Sequence, residues 1–177
     1  MSNPYVQRGQ EWLISLLGHL GMTTQVLSDK PEIVRTQLKD FGGFWLTIDD
    51  QNLSQEQVDV LIGDQGQMLD AIQYLMNSTL NLGQDRADRT AYTIELSGFR
   101  MTRYGEVAEW AAQAAQKVRQ TGQDYEMPPL SSAERRLVHT LLFEEADLET
   151  FSRGQEPDRR LVVTQAVGDR RQEDDDE

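Results

Sequence analysis

The sequence predicts an α+β fold in two modules, a three-stranded sheet packed by helices and joined through a long helix to a small α/β unit. Three observations carry this. Stretches with apolar residues at spacings of three and four are interleaved with short stretches of period two. Residues 103–120 are Ala-rich and read as one long helix by propensity and by pattern. The stretch QDYEMPPL at 123–130 then breaks regular structure at Pro128-Pro129 and marks the best module boundary.

Taken in order, residues 10–20 place Trp12, Leu13, Leu16, Leu17 and Leu20 on one helical face, with Gly21 as the stop. His19, near the end of that helix, has no second ligand at zinc spacing and reads as a solvated side chain. Residues 23–28 and 43–49 read as strands, the second alternating Phe44, Leu46 and Ile48 against Trp45 and Thr47. Between them, 31–43 is too long for a tight hairpin and fits either a short helical turn begun at Pro31 or a mobile excursion. Ser54 and Gln57 form a capping box for a helix that breaks at Gly63. A second helix starts after Gly66 and carries Met68, Leu69, Ile72, Leu75, Met76 and Leu80. Residues 91–99 alternate as a third strand. The long helix follows, with Val107, Trp110, Ala111, Ala114 and Val118 along one stripe that must be buried. Ser131 and Glu134 make a second capping box for a helix reaching Ala146, and 148–151 and 160–164 are strand candidates joined by a loop with Gly154 and Pro157.

Composition narrows the classes of function. The 177 residues carry a net charge of -13, so any polyanion must bind on a local basic patch. The acidity lies at the front and in the tail: residues 1–80 hold 4 basic and 10 acidic groups, and 6 acids lie at or after Asp169. Residues 167–177 have the composition of a disordered tail. With no Cys there are no disulfides and no thiolate chemistry. No leader pattern opens the chain, and its best apolar run is too short to span a bilayer, so it reads as soluble and cytoplasmic, without membrane insertion. No nucleophile elbow, zinc-protease motif or Walker loop is present, so no catalytic residue, metal site or cofactor is expected.

Two motifs sharpen the reading. Ile62-Gly63-Asp64-Gln65-Gly66-Gln67, followed by Met68-Leu69-Asp70-Ala71-Ile72-Gln73-Tyr74, resembles the GxxG loop and following helix of a type II KH domain. Glycines at both corners admit tight dihedrals and remove Cβ atoms, so phosphates can approach backbone N–H groups and a helix N-terminus. Glu134-Arg135-Arg136-Leu137-Val138-His139, together with the stretch from Glu149 to Val163, resembles the small nucleic-acid-binding domain named for its Arg-x-x-x-His signature. Arg135 and His139, four apart, share one helical face, and both side chains donate to phosphate. Arg159 and Arg160 fall on opposite faces of a strand, and Arg153 offers a further cation.

A type II KH domain over 9–99, a bridging helix at 100–125 and an Arg-x-x-x-His domain at 126–166 together resemble the Jag (SpoIIIJ-associated) family. The chain reads as a member without the N-terminal Jag domain, and its Gln-rich, acidic composition fits a cyanobacterial one. The resemblance implies a bacterial single-stranded RNA-binding protein, a post-transcriptional regulator or RNA chaperone, with single-stranded DNA and a small KH-domain protein as further partners. It implies contacts from Ile62, Gly63, Asp64, Gln65, Gly66, Gln67, Arg135, His139, Arg153, Arg159 and Arg160. Family loops usually carry Lys or Arg between the glycines, and here Asp64-Gln65 stands instead. The sequence therefore ranks the Arg135/His139 face above the glycine loop for phosphate binding. The competing reading is a protein-interaction module that keeps both folds with little affinity for RNA.

Overall fold

Helix α1 spans Pro4–His19 and begins earlier than its periodicity predicts. Asn3 accepts a hydrogen bond from the Tyr5 amide, and Pro4 presets the first helical residue. The computed structural model describes residues 3–28, 41 and 43–166. Most of the 31–43 excursion and the 167–177 tail lie outside the described residues.

Strands β1 (Val26–Leu27), β2 (Phe44–Ile48) and β3 (Tyr92–Leu96) form one sheet in that order, β1 antiparallel and β3 parallel to β2. β1 is shorter than the 23–28 reading. Helices α2 (Gln55–Ile62) and α3 (Gln67–Leu80) lie between β2 and β3 in the chain. The Ser54/Gln57 capping box starts α2, and Gly63 at φ 71° ends it. Leu13 and Leu17 of α1, Leu61 of α2, Leu69 and Met76 of α3, and Leu46 and Ile94 of the sheet belong to one core.

A ladder of side-chain amides ties α3 to the sheet. Gln73, Asn77 and Asn81 recur one helical turn apart. Gln73 accepts from the Ile94 amide, Asn77 accepts from the Tyr92 amide and donates to the Tyr92 carbonyl, and Asn81 pairs both ways with Thr90. The outer edge of β3, otherwise a row of unpaired peptide groups, is thereby satisfied.

The long helix α4 is Phe99–Thr121, starting before the predicted residue 103. Glu95, buried on β3, accepts from the backbone amides of Arg100 and Met101 and so caps the first turn, which apolar spacing alone does not reveal.

The chain divides into two compact units after Arg103. In the second unit Val107, Ala111, Ala114 and Val118 of α4 are buried, as the stripe requires, and Trp110 is half-buried. A short strand β4 (Tyr125–Glu126) forms inside the stretch read as irregular, because it pairs antiparallel with a later strand at Val162 and Val163, just before Pro128. Helix α5 is Ser132–Leu142, with the Ser131/Glu134 capping box formed. It ends before the predicted Ala146, in turns at Glu145 and Leu148 that lead into the next strand. Arg119 of α4 bonds Glu145 and Asp147 in that turn region. Strands β5 (Leu148–Arg153) and β6 (Arg160–Gln165) complete an antiparallel sheet ordered β4-β6-β5.

Candidate nucleic-acid interface

The glycine loop of the first unit is a tight turn, Asp64–Gly66, between two helices. Gly66 sits at φ 85°, and a Cβ there would lie 2.4 Å from Phe99 Cε1. A Cβ on Gly63 would lie 2.8 Å from Met68 Cβ. Packing against Phe99 and Met68 therefore demands both glycines whatever binds outside. Asp64, Gln65 and Gln67 are exposed, whereas Ile62 is half-buried and packs on the core with Leu69 and Ile72. Asp70, in the first turn of α3, bonds the buried Arg100 at 2.6 Å, fixing the loop's helix to the start of α4.

Beside the loop an apolar groove of about 440 Å³ runs between α1, α2 and α3, lined by Leu16, Leu20, Val60, Met68 and Leu75 among others. Met68 and Leu75, expected on the core face of α3, are about half exposed along it.

The cations of the second unit do different work from one another. Arg135 is buried, and its guanidinium donates to the Leu130 carbonyl at 2.8 Å, to Ser132 Oγ at 2.9 Å and to the Glu156 carboxylate. It joins the start of α5 to the β5–β6 loop. His139 is half-buried with Nδ1 against Thr150 Oγ1. Burial first, then the charges of Arg159 and Arg135, hold the imidazole below its ordinary pKa, which favours the neutral ring. Arg159 is exposed. Arg153 and Arg160 are direct cross-strand partners, with Arg153 3.7 Å from Asp124 and its guanidinium 5.5 Å from the centroid of the Phe151 ring. The structure thus groups His139 with Arg159, and Arg153 with Arg160, and places Arg135 beneath the surface.

Comparison with known proteins bears on both units. The family model of the R-3-H domain, named for the Arg-x-x-x-His signature, matches residues 105–165. RNA-binding protein KhpB of Clostridium symbiosum is 29% identical over 113 residues, 64% of this chain and 50% of that protein. RNA-binding protein KhpB of Lactiplantibacillus plantarum is 26% identical over 153 residues, 86% of this chain and 42% of that protein, a match too long to lie within the second unit alone. The chain is homologous to the KhpB proteins of the Jag family. A further Jag-family relative, KhpB of Bacillus subtilis, is 26% identical over 64% of this chain and 54% of its own length. The chain spans about half the length of the curated Jag relatives it matches.

Three features of the structure escape a reading by motif. Asp70–Arg100 and the Glu95 cap join residues whose spacing carries no periodic signal. Phe151, two residues from Arg153 on one strand, carries no motif signal, and it is 40% exposed. Among the described residues no group of three or more His, Asp and Glu side chains could hold a metal ion, and no helix is long and apolar enough to cross a membrane.

Proposed function

We propose that this chain binds single-stranded RNA without catalysing a reaction, as a cytoplasmic post-transcriptional regulator or RNA chaperone of a bacterium, cyanobacterial by its composition. The observation that carries the reading is a GxxG loop module and an Arg-x-x-x-His module in one chain, in a family whose matched relatives are RNA-binding proteins by name. The modules are residues 9–99 and 126–166, with 100–125 as the bridge. In the first, backbone donors of Gly63 to Gly66 receive a phosphate, Ile62 supports the loop, and Gln65 and Gln67 border it. In the second, His139 with Arg159, and Arg153 with Arg160, supply the cationic contacts, while Arg135 supports them from below. Single-stranded DNA fits the same donors.

Asp64 opposes the ligand. A like-charge contact near the surface costs about 1 kcal/mol, several-fold in affinity. Titrating labelled single-stranded RNA by fluorescence anisotropy at several salt concentrations should therefore show the Asp64→Lys variant binding about tenfold tighter at low salt. A wild-type chain that binds no single-stranded RNA even at low salt would refute the function.

A second reading, the first module as a protein-interaction surface, has the apolar groove in its favour. Its Leu20, Val60, Met68 and Leu75 are about half exposed, and Arg8 is the sole Lys or Arg among the described residues up to 80. Such a surface suits a cationic amphipathic segment, including one borne by a small KH-domain partner. Binding of a cationic amphipathic peptide that Leu75→Glu abolishes, in a chain that ignores RNA, would favour it.

A further inference from the structure

On β5 the side chains alternate between two faces. Thr150 meets His139 of α5, so Thr150, with Leu148 and Ser152, looks toward the helix, and Glu149, Phe151 and Arg153 look away from it. The register carries the outer face onto β6: Phe151 opposes Val162, and Arg153 opposes Arg160. Two arginines directly opposite one another repel, an arrangement sheets avoid. Arg160 has no acidic partner among the described residues, and Arg153 has only Asp124, at 3.7 Å with both side chains at least half exposed. Next to this pair stands a phenyl ring that is 40% exposed, with the Arg153 guanidinium over it.

A ring 40% exposed on a sheet face leaves apolar surface in water, and a like-charged pair beside it costs stability. Both costs vanish together if the ligand is a polymer of flat aromatic bases joined by phosphates. We propose that the outer face of this sheet is a base-stacking platform, in which a nucleobase of single-stranded RNA stacks on the Phe151–Arg153 pair while Arg160 holds an adjoining phosphate. The proposal rests on the RNA-binding reading and adds the residue that touches the base. Of the acidic groups on this face, Glu149 opposes Thr164, at the far end from the Arg153/Arg160 rung, whereas Glu126 stands level with Phe151 across Val162 and Asp124 approaches Arg153. Stacking tolerates any base, so the platform supplies affinity rather than sequence choice.

The test titrates the whole chain with fluorescein-labelled oligouridylate and oligoadenylate at several salt concentrations, with each variant's thermal melt as the folding control. Phe151→Ala should weaken binding about tenfold (about 1.4 kcal/mol) with an unchanged salt slope. Phe151→Leu keeps the apolar bulk and should lose as much, whereas Phe151→Trp should bind as wild type, with its indole emission quenched by the RNA. Arg160→Gln should lower the salt slope by about 0.7, the share of one phosphate contact on a single strand. If wild type binds RNA and Phe151→Ala and Phe151→Leu bind equally well, the platform is refuted and the RNA-binding reading stands. If Phe151→Leu retains full affinity while Phe151→Ala loses it together with melting temperature, the ring is packing and the platform is again refuted. A wild-type chain with no RNA affinity refutes both.

Discussion

Replacing Arg135 with Ala removes a guanidinium that is 7% exposed and leaves behind the carbonyl of buried Leu130, the Ser132 hydroxyl and the Glu156 carboxylate. Glu156 is 58% exposed and regains water, so the loss falls below that of a fully buried ion pair. The Leu130 carbonyl at the foot of α5 does not regain water as freely. Counting two charge-assisted hydrogen bonds at about 1.5 kcal/mol each and little net loss for the carboxylate gives about 3 kcal/mol. For a module of this size that is a fall of about 15 °C in melting temperature. Hydrogen–deuterium exchange read by mass spectrometry localises the effect: amides of α5 and of the β5–β6 hairpin should lose protection, and those of α1 and α3 should keep it. Arg135→Lys should recover only part of the loss, because an ammonium cannot reach three acceptors from one plane. The reasoning fails if the Arg135→Ala chain melts and exchanges as wild type yet binds RNA tenfold more weakly. Arg135 would then be a phosphate ligand, as its motif alone suggests.

Gly66→Ala places a methyl against the Phe99 ring at a backbone φ of 85° and should destabilise the first unit by about 2 kcal/mol, read from the urea midpoint; an unchanged midpoint would contradict the packing account of the loop. His139 titrates below its ordinary value of 6.5 in the folded chain, so as pH falls the unfolded chain takes up its proton first. Stability of the second unit should decline as pH drops below about 6.5, level off once the folded imidazole is charged too, and decline less in His139→Gln, measured by denaturation between pH 8 and 5.

Periodicity and caps made most of the architecture legible. Ser54/Gln57 and Ser131/Glu134 were readable as helix starts because both partners of a capping box lie within four residues. The start of α4 was not, because its cap, Glu95, sits on a strand where it reads as an ordinary outward residue. Tyr125–Glu126 was invisible as a strand since a two-residue strand has no period, and only its partner β6 makes it one. At the candidate site, residue type does not show which side chains the fold draws inward. Arg-x-x-x-His places Arg135 and His139 on one face of α5, but the spacing does not say that Glu156, distant in sequence, meets Arg135 and draws it inward. The glycines of the loop were legible as glycines, and the Phe99 ring that requires one of them lies more than thirty residues away.

The amide ladder on α3 sets a limit of another kind. A helix advances about 6 Å in four residues and a strand about 6.7 Å in two, so the two scales nearly coincide. Gln73, Asn77 and Asn81 meet Ile94, Tyr92 and Thr90 as the marks of a vernier meet their scale. Over these rungs the mismatch reaches only about 1.4 Å, which side-chain torsions absorb, and more rungs would drift out of reach. A slip of α3 by one residue would break every rung at once, so the helix has one seat along the strand. The glycine turn at its head inherits that seat. Its position relative to the sheet is therefore set by commensurate lengths far from the turn, and substitutions within the loop can alter its charge without moving it.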